Sequence, residues 1–349
     1  MDFFLPVISK DLFHENFRRV LLKNDQLAQA LFNQWANGFV DRDNKIIKEF
    51  QTSFNSTFWE VYLYAVFKNY GLDVNFKFST PDFCISDSDF VIEATTANAA
   101  RDKTPEWEKN YTPEEMVKLN RFGELNREAI IRLSSAITQK DRKYNSSYSK
   151  LDHVKGKAFV LAVAPFEQPY FNLQYDRAIR AVLYSDYVNE DAYLDNPELY
   201  PEGPPNQHLD YITKDNGTEV PLGFFCDNQY EDISAIIFNC NATWGKVVAL
   251  ANKNNPNGQI SSVWAVPPEG KPKGIICKPS EYNENILDGL MIFHNPYAKN
   301  PLSPHVFRSD RVVQFIPDHK TMMLQVENYN NCLHSRSVII TNYKNTITR

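Results

Sequence analysis

The chain has 349 residues, 43% hydrophobic and 23% charged, a balance typical of folded globular proteins that excludes an intrinsically disordered one. No stretch approaches the roughly 20 apolar residues of a membrane span, and the opening MDFFLPVISKDLFHENF carries acids where a secretory leader has a basic start, so a cytoplasmic protein is expected. The net charge of −6 weighs against a polyanionic partner only as a total, because the charge is unevenly spread.

From Tyr184 to Asp232 there are twelve acids against one base, which leaves +5 on the rest of the chain. From Arg121 to Lys157 there are nine bases against four acids, so a locally basic surface is expected. The five cysteines (Cys84, Cys226, Cys240, Cys277, Cys332) are odd in number and never form a C-x-x-C pair, which points to reduced structural residues.

In chain order, residues 1–49 read as an N-terminal helical segment, with apolar spacing in LFHENFRRVLL and QLAQALFNQWANGF and a stop at Gly38. From Gln51 to Tyr70 the apolar run QTSFNSTFWEVYLYAVFKNY predicts one largely buried helix ended by Gly71. PDFCIS and DFVIEAT follow as strands of a hairpin turning at Asp87-Ser88. After a polar, irregular stretch from Ala97 to Phe122, a helix is predicted from about Leu125 to Tyr144.

KAFVLAVAP reads as a strand covered on both faces, and YDRAIRAVLYSDYV as a further helix. The acidic stretch, with Pro201, Pro204 and Pro205, reads as a long loop or insertion. Beyond it ISAIIFN, QISSVWAV, GIIC, GLMIFHN, VVQFI, TMMLQV and SVIIT are short β-type runs. The fold class expected is α/β, divided into 1–49, a core at 50–190, an acidic insertion at 191–232 and a β-rich region at 233–349.

Glu60 is the one charge in FNSTFWEVYLYAVF. A carboxylate on so apolar a helix needs a partner, a metal or a raised pKa, unless it stands at an exposed edge. Asp82, after Pro81, and Glu93, eleven positions on, come side by side if their strands pair. Such neighbours repel, and a hard divalent cation turns them into ligands; alone, the pair also fits an ordinary turn. On the next helix Ile130, Leu133, Ile137, Lys140 and Tyr144 share one stripe, so Lys140 points toward the core side, as a catalytic group or as a lysine snorkelling past apolar surface.

An acid on a buried helix, P-D heading one strand, E in the next, a basic helix and a buried strand together resemble the PD-(D/E)xK, or restriction-endonuclease-like, nucleases. The resemblance covers about residues 50–165 and implies an αβββαβ core that hydrolyses phosphodiester bonds with Mg²⁺, or Mn²⁺ in its place. It implies Asp82 and Glu93 as metal ligands, the Ala94 carbonyl as a further ligand and Glu60 as an outer contact to the metal or its water. The family's lysine position holds Thr95, which brings no positive charge. The run Lys140 to Tyr144 is similar to branches that carry the lysine, with a Tyr four residues later, on the following helix.

Arg132, Arg142, Lys143 and Tyr144 are then expected nucleic-acid contacts, or a plain solvated face. By analogy of fold the setting would be restriction or phage defence, with DNA as the first partner and a homodimer or partner protein left open. The alternative is a nuclease fold that has lost catalysis and binds nucleic acid or a partner protein, which Thr95 favours. His294, Asn295 and His305 in GLMIFHNPYAKNPLSPHVF read as a structural turn that lines a substrate groove. That loop is similar to one in a group of bacterial proteins, from which no activity carries over.

Overall fold

The computed structural model describes residues 1–108, 122–267, 270–321 and 323–340. The second half of the expected irregular stretch, residues 109–121 including Arg121, together with Met322 and the Thr341 end of the last β-type run, lies outside the described residues. None of the described helices is long and apolar enough to cross a membrane.

The amino-terminal part forms α1 (Glu15–Lys23), α2 (Gln26–Trp35) and α3 (Ile46–Thr52), and α4 runs over Phe54–Asn69. The single helix expected from Gln51 onward is therefore two, broken at Ser53, whose backbone leaves the helical region at φ −132° and ψ 38°. Apolar pattern runs unbroken through that point, so it gave no sign of the kink. Gly71 does stop α4: at φ +70° it adopts the left-handed conformation, and the Leu72 N–H returns to the Phe67 carbonyl.

Next come β1 (Phe83–Cys84) and β2 (Phe90–Asn98), an antiparallel pair, with one isolated bridge from Val74 to Ile85 on the other side of the hairpin. The long α5 (Phe122–Ser146) leads to β3 (Ala158–Phe166), buried at all nine positions, and α6 (Arg177–Tyr184) follows. The acidic stretch is not a bare loop. It contains β4 (Asp186–Val188), α7 (Glu190–Asp195), β5 (Asn206–His208), β6 (Tyr211–Thr213) and β7 (Glu219–Pro221), paired as two small hairpins.

Beyond it lie β8 (Ile233–Phe238), α8 (Trp244–Ala251), β9 (Gly258–Val266), β10 (Lys271–Cys277), β11 (Met291–His294), β12 (Val313–Pro317), β13 (Leu324–Glu327) and β14 (Leu333–Ile340). The fold is mixed α/β, built on a seven-stranded sheet in the order β1-β2-β3-β8-β11-β12-β13. Strands β2, β3 and β8 run parallel and are the apolar centre, which is why β3 and β8 read as continuous hydrophobic runs. Four of the carboxy-terminal strands thus extend the sheet begun by β1 to β3, while β9, β10 and β14 form a separate three-stranded sheet. One buried cluster reaches from Phe3 to Cys332.

Candidate active site

Three elements meet at β2 just past the point where the short β1 stops pairing with it: the hairpin, α4 and the carboxy-terminal half of α5. In the hairpin Phe83 faces Ile92 and Cys84 faces Val91. One more step along that register sets Asp82 opposite Glu93, as antiparallel pairing requires. The Asp82 carboxylate reaches across, its Oδ2 accepting the Ala94 N–H at 2.8 Å. Just before it, the Thr80-Pro81 peptide is cis, and the Thr80 carbonyl lies 2.7 Å from His153 Nε2.

Glu93 is the deeply buried acid, 1% exposed. Its Oε1 accepts from Lys140 Nζ at 2.5 Å, from the Tyr148 hydroxyl at 3.0 Å and from Lys143 Nζ at 3.3 Å. Its Oε2 is buried without a hydrogen-bond partner. Lys140 takes this position because α5 packs its Ile130, Leu133, Ile137 and Tyr144 stripe inward, and the lysine continues that stripe to the strand edge.

Glu60, on α4, faces the same centre. Burial pushes its carboxyl up to about 8, with the charges of Asp82, Glu49 and Glu93 adding and Lys140 opposing. Burial, and then Glu93, likewise hold Asp82 above the usual carboxylate range, against the Ala94 N–H and the two lysines. The Tyr148 phenol is raised well above its ordinary range by burial and then by Glu93, so it stays a donor.

No three Asp, Glu, His or Cys side chains among the described residues are gathered closely enough to hold an ion as they stand. The donor chemistry nevertheless suits a hard divalent cation. The set is all oxygen and anionic, the Glu60 and Asp82 carboxyls are destabilised as charges, and Glu93 Oε2 is an orphaned buried acceptor. At Ala94, the expected carbonyl ligand, the group brought to Asp82 is the N–H.

The expected nucleic-acid contacts divide. Arg142 is exposed, and Arg132 Nε donates to the Asn98 carbonyl at the end of β2. Lys143 is half exposed and lies between Glu93 and the Tyr148 ring, 4.8 Å from its centroid, so it belongs to the centre itself. Tyr144 is a correction. It is 6% exposed and stacks on Phe159 with centroids 4.2 Å apart, because the inward stripe of α5 carries it into the core and away from any surface contact.

Sequence reasoning missed Tyr148 and His153. Tyr148 is the next tyrosine four residues after Tyr144, but α5 ends at Ser146 and a 3₁₀ turn aims the side chain, so helical spacing could not place it. His153 leaves no pattern at all. The His294 loop is structural: His294 Nε2 lies 2.9 Å from Gln314 Oε1, and Asn295 donates to the Tyr230 and Ile233 carbonyls. His305 is exposed beside Arg308, Nδ1 to Nη1 2.8 Å. All five cysteines are free thiols. No family model, curated protein or solved structure matches the chain.

Proposed function

We propose that this protein hydrolyses phosphodiester bonds in nucleic acid, DNA first, with a divalent metal, Mg²⁺ or Mn²⁺, at Glu60, Asp82 and Glu93. The observation that carries the reading is the convergence of three acids, from one helix and two paired strands, on one lysine of the next helix. That is the chain order of the PD-(D/E)xK nucleases. We read α4, the bridge at Val74, β1, β2, α5 and β3 as the counterparts of the αβββαβ core, and Lys140 as the charge that Thr95 lacks.

Asp82 and Glu93 would hold the metal, with Glu60 and the Ala94 carbonyl around it. When bound, it supplies Lewis-acid polarisation of the phosphate and a water of lowered pKa. Glu60, with a carboxyl near 8, can hold or accept a proton close to neutral pH, which suits a base for the attacking water. Lys140 and Lys143 bring positive charge to the phosphate as negative charge builds on it. Tyr148 keeps the Glu93 carboxylate oriented.

The test is a cleavage assay with Mg²⁺ or Mn²⁺ on plasmid, single-stranded DNA and RNA. Asp82→Ala and Glu93→Ala are expected to abolish metal-dependent cleavage in proteins that still unfold cooperatively. Cleavage at the wild-type rate by both variants would remove the assignment.

A second reading, a nuclease fold that only binds nucleic acid or a partner, is favoured by the two lysines that already neutralise Glu93. Lys140→Ala separates the two. A large loss of the wild-type cleavage rate in the variant supports catalysis, whereas a wild type that binds nucleic acid and has no cleavage for the variant to lose supports the binder.

A further inference from the structure

A cavity of about 300 Å³ lies where β3 and β8 end: Phe166 closes β3, and Asn241 follows β8. Those two strands are parallel, and open α/β sheets take up ligands beyond the carboxyl ends of parallel strands. The volume sits at the lower end of small-ligand sites, too small for a nucleic-acid chain. None of Glu60, Asp82, Glu93 and Lys140 lines it.

The wall is donor-rich. Arg19, Lys23 and Arg336 line it with one acid, Glu106, whose Oε1 already accepts from the amides of Asn16 and Asn55; Arg19 itself donates to Glu15 and to the Trp107 carbonyl. Arg336 is 8% exposed and pinned, with Nε and Nη2 on Glu284 and Nη2 also on the Asn241 carbonyl. Its Nη1 takes no part in those bonds. It lies at the start of α8, where a Cβ added to Gly245 would come within 2.8 Å of it.

Glu284 is shared between Arg336 and Lys246, both fully buried in their side chains, so this trio keeps a net positive charge indoors. The buried Asp288 carboxylate acts on Lys246 as well as on the partly exposed Arg311, so the five groups together carry one net positive charge. An anion in the cavity would balance that charge. Beside Gly245, Trp244 Nε1 is a buried donor with no partner. Trp107, packed edge-on against His14, and Trp244, packed against Phe4, Phe32 and Phe54, line the same wall.

We propose that this cavity binds a small phosphate monoester carried on an aromatic heterocycle, a molecule of the mononucleotide class. Its phosphate lies at the Arg336 and Gly245 end, and the aromatic wall takes the ring. The site is separate from the acidic centre and needs no metal.

The experiment titrates the full chain in EDTA with the four 5′-ribonucleoside monophosphates, the matching nucleosides and inorganic phosphate, read by calorimetry and by thermal unfolding. Saturable binding of at least one mononucleotide is expected, with its nucleoside and free phosphate each weaker by about tenfold or more. Trp244→Phe removes one donor and keeps a ring, and Lys23→Glu reverses an exposed charge. A weakening of about tenfold in either, at an unchanged unliganded melting temperature, supports the assignment. Asp82→Ala is expected to bind as the wild type does, which separates this site from the acidic centre. The proposal is overturned by no saturable binding of any mononucleotide, by phosphate alone binding as tightly, or by unchanged affinity in both variants.

Discussion

Glu60 titrates in a way that makes a stability prediction with a definite sign. Its carboxyl has an ordinary value of 4.5 and stands near 8 in the folded protein. Between those values the folded state holds a proton that the unfolded chain has released, so stability falls as pH rises from about 4.5 to 8. Asp82 acts in the same direction. Glu60→Gln removes a charge that burial, Asp82, Glu49 and Glu93 all oppose. Its melting temperature is expected to match the wild type near pH 5 and to exceed it near pH 9; a variant less stable at pH 9 would contradict the site's electrostatics. Lys140→Ala acts oppositely, leaving Glu93 with Lys143 and Tyr148 alone, and is expected to cost about 1–3 kcal/mol in urea unfolding at neutral pH.

Helix α5 shows how one element joins two parts of the chain. Its carboxy-terminal half brings Lys140 and Lys143 to Glu93, and its amino end is held by the acidic stretch. Asp191 of α7 accepts the Phe122 N–H at 2.8 Å and the Gly123 N–H at 3.1 Å, a cap supplied from far along the sequence. Asp215 pairs with Arg127 and Lys103. Thirteen residues separate Arg127 from Lys140, about 20 Å of helix, so these acids seat their segment at the end of α5 remote from the acidic centre. Asp191→Ala is expected to cost about 1 kcal/mol, with faster amide exchange confined to the first turn of α5. Protection unchanged at Phe122 and Gly123 would show that the cap contributes nothing. A run of acids announced this segment in the sequence, but its small hairpins and its capping role depend on contacts across some 70 residues.

Across the whole molecule, the Lys246, Glu284 and Arg336 trio ties α8, the 284–288 loop and β14 together. Burial raises the Glu284 carboxyl, yet Arg336 and Lys246 overcome it and hold it down to about 2. Its contribution is therefore present above pH 4.5 and lost as pH falls toward 2. Glu284→Gln leaves two buried cations without their acid and is expected to cost about 3–5 kcal/mol, seen as a lower denaturation midpoint at neutral pH. A variant within 1 kcal/mol of wild type, as ordinary surface changes are, would show that solvent or another acid compensates. Nothing in the linear pattern marked this trio, because its members are spread over 90 residues and each looks like an ordinary surface charge.

By itself the sequence was enough for the α/β class, the α4 and α5 helices, the β1–β2 pair and the inward stripe that carries Lys140. Each rests on a local period or a nearby turn, which neighbouring residues impose on one another. Tertiary structure decided the rest: the kink at Ser53, the seven-strand order, Tyr144 in the core, and Tyr148 and Lys143 on Glu93. It also decided the donor-lined cavity beyond β3 and β8. Those features depend on which distant surfaces pack together and on how burial changes a charge, and neither is encoded in the spacing of residues along one segment.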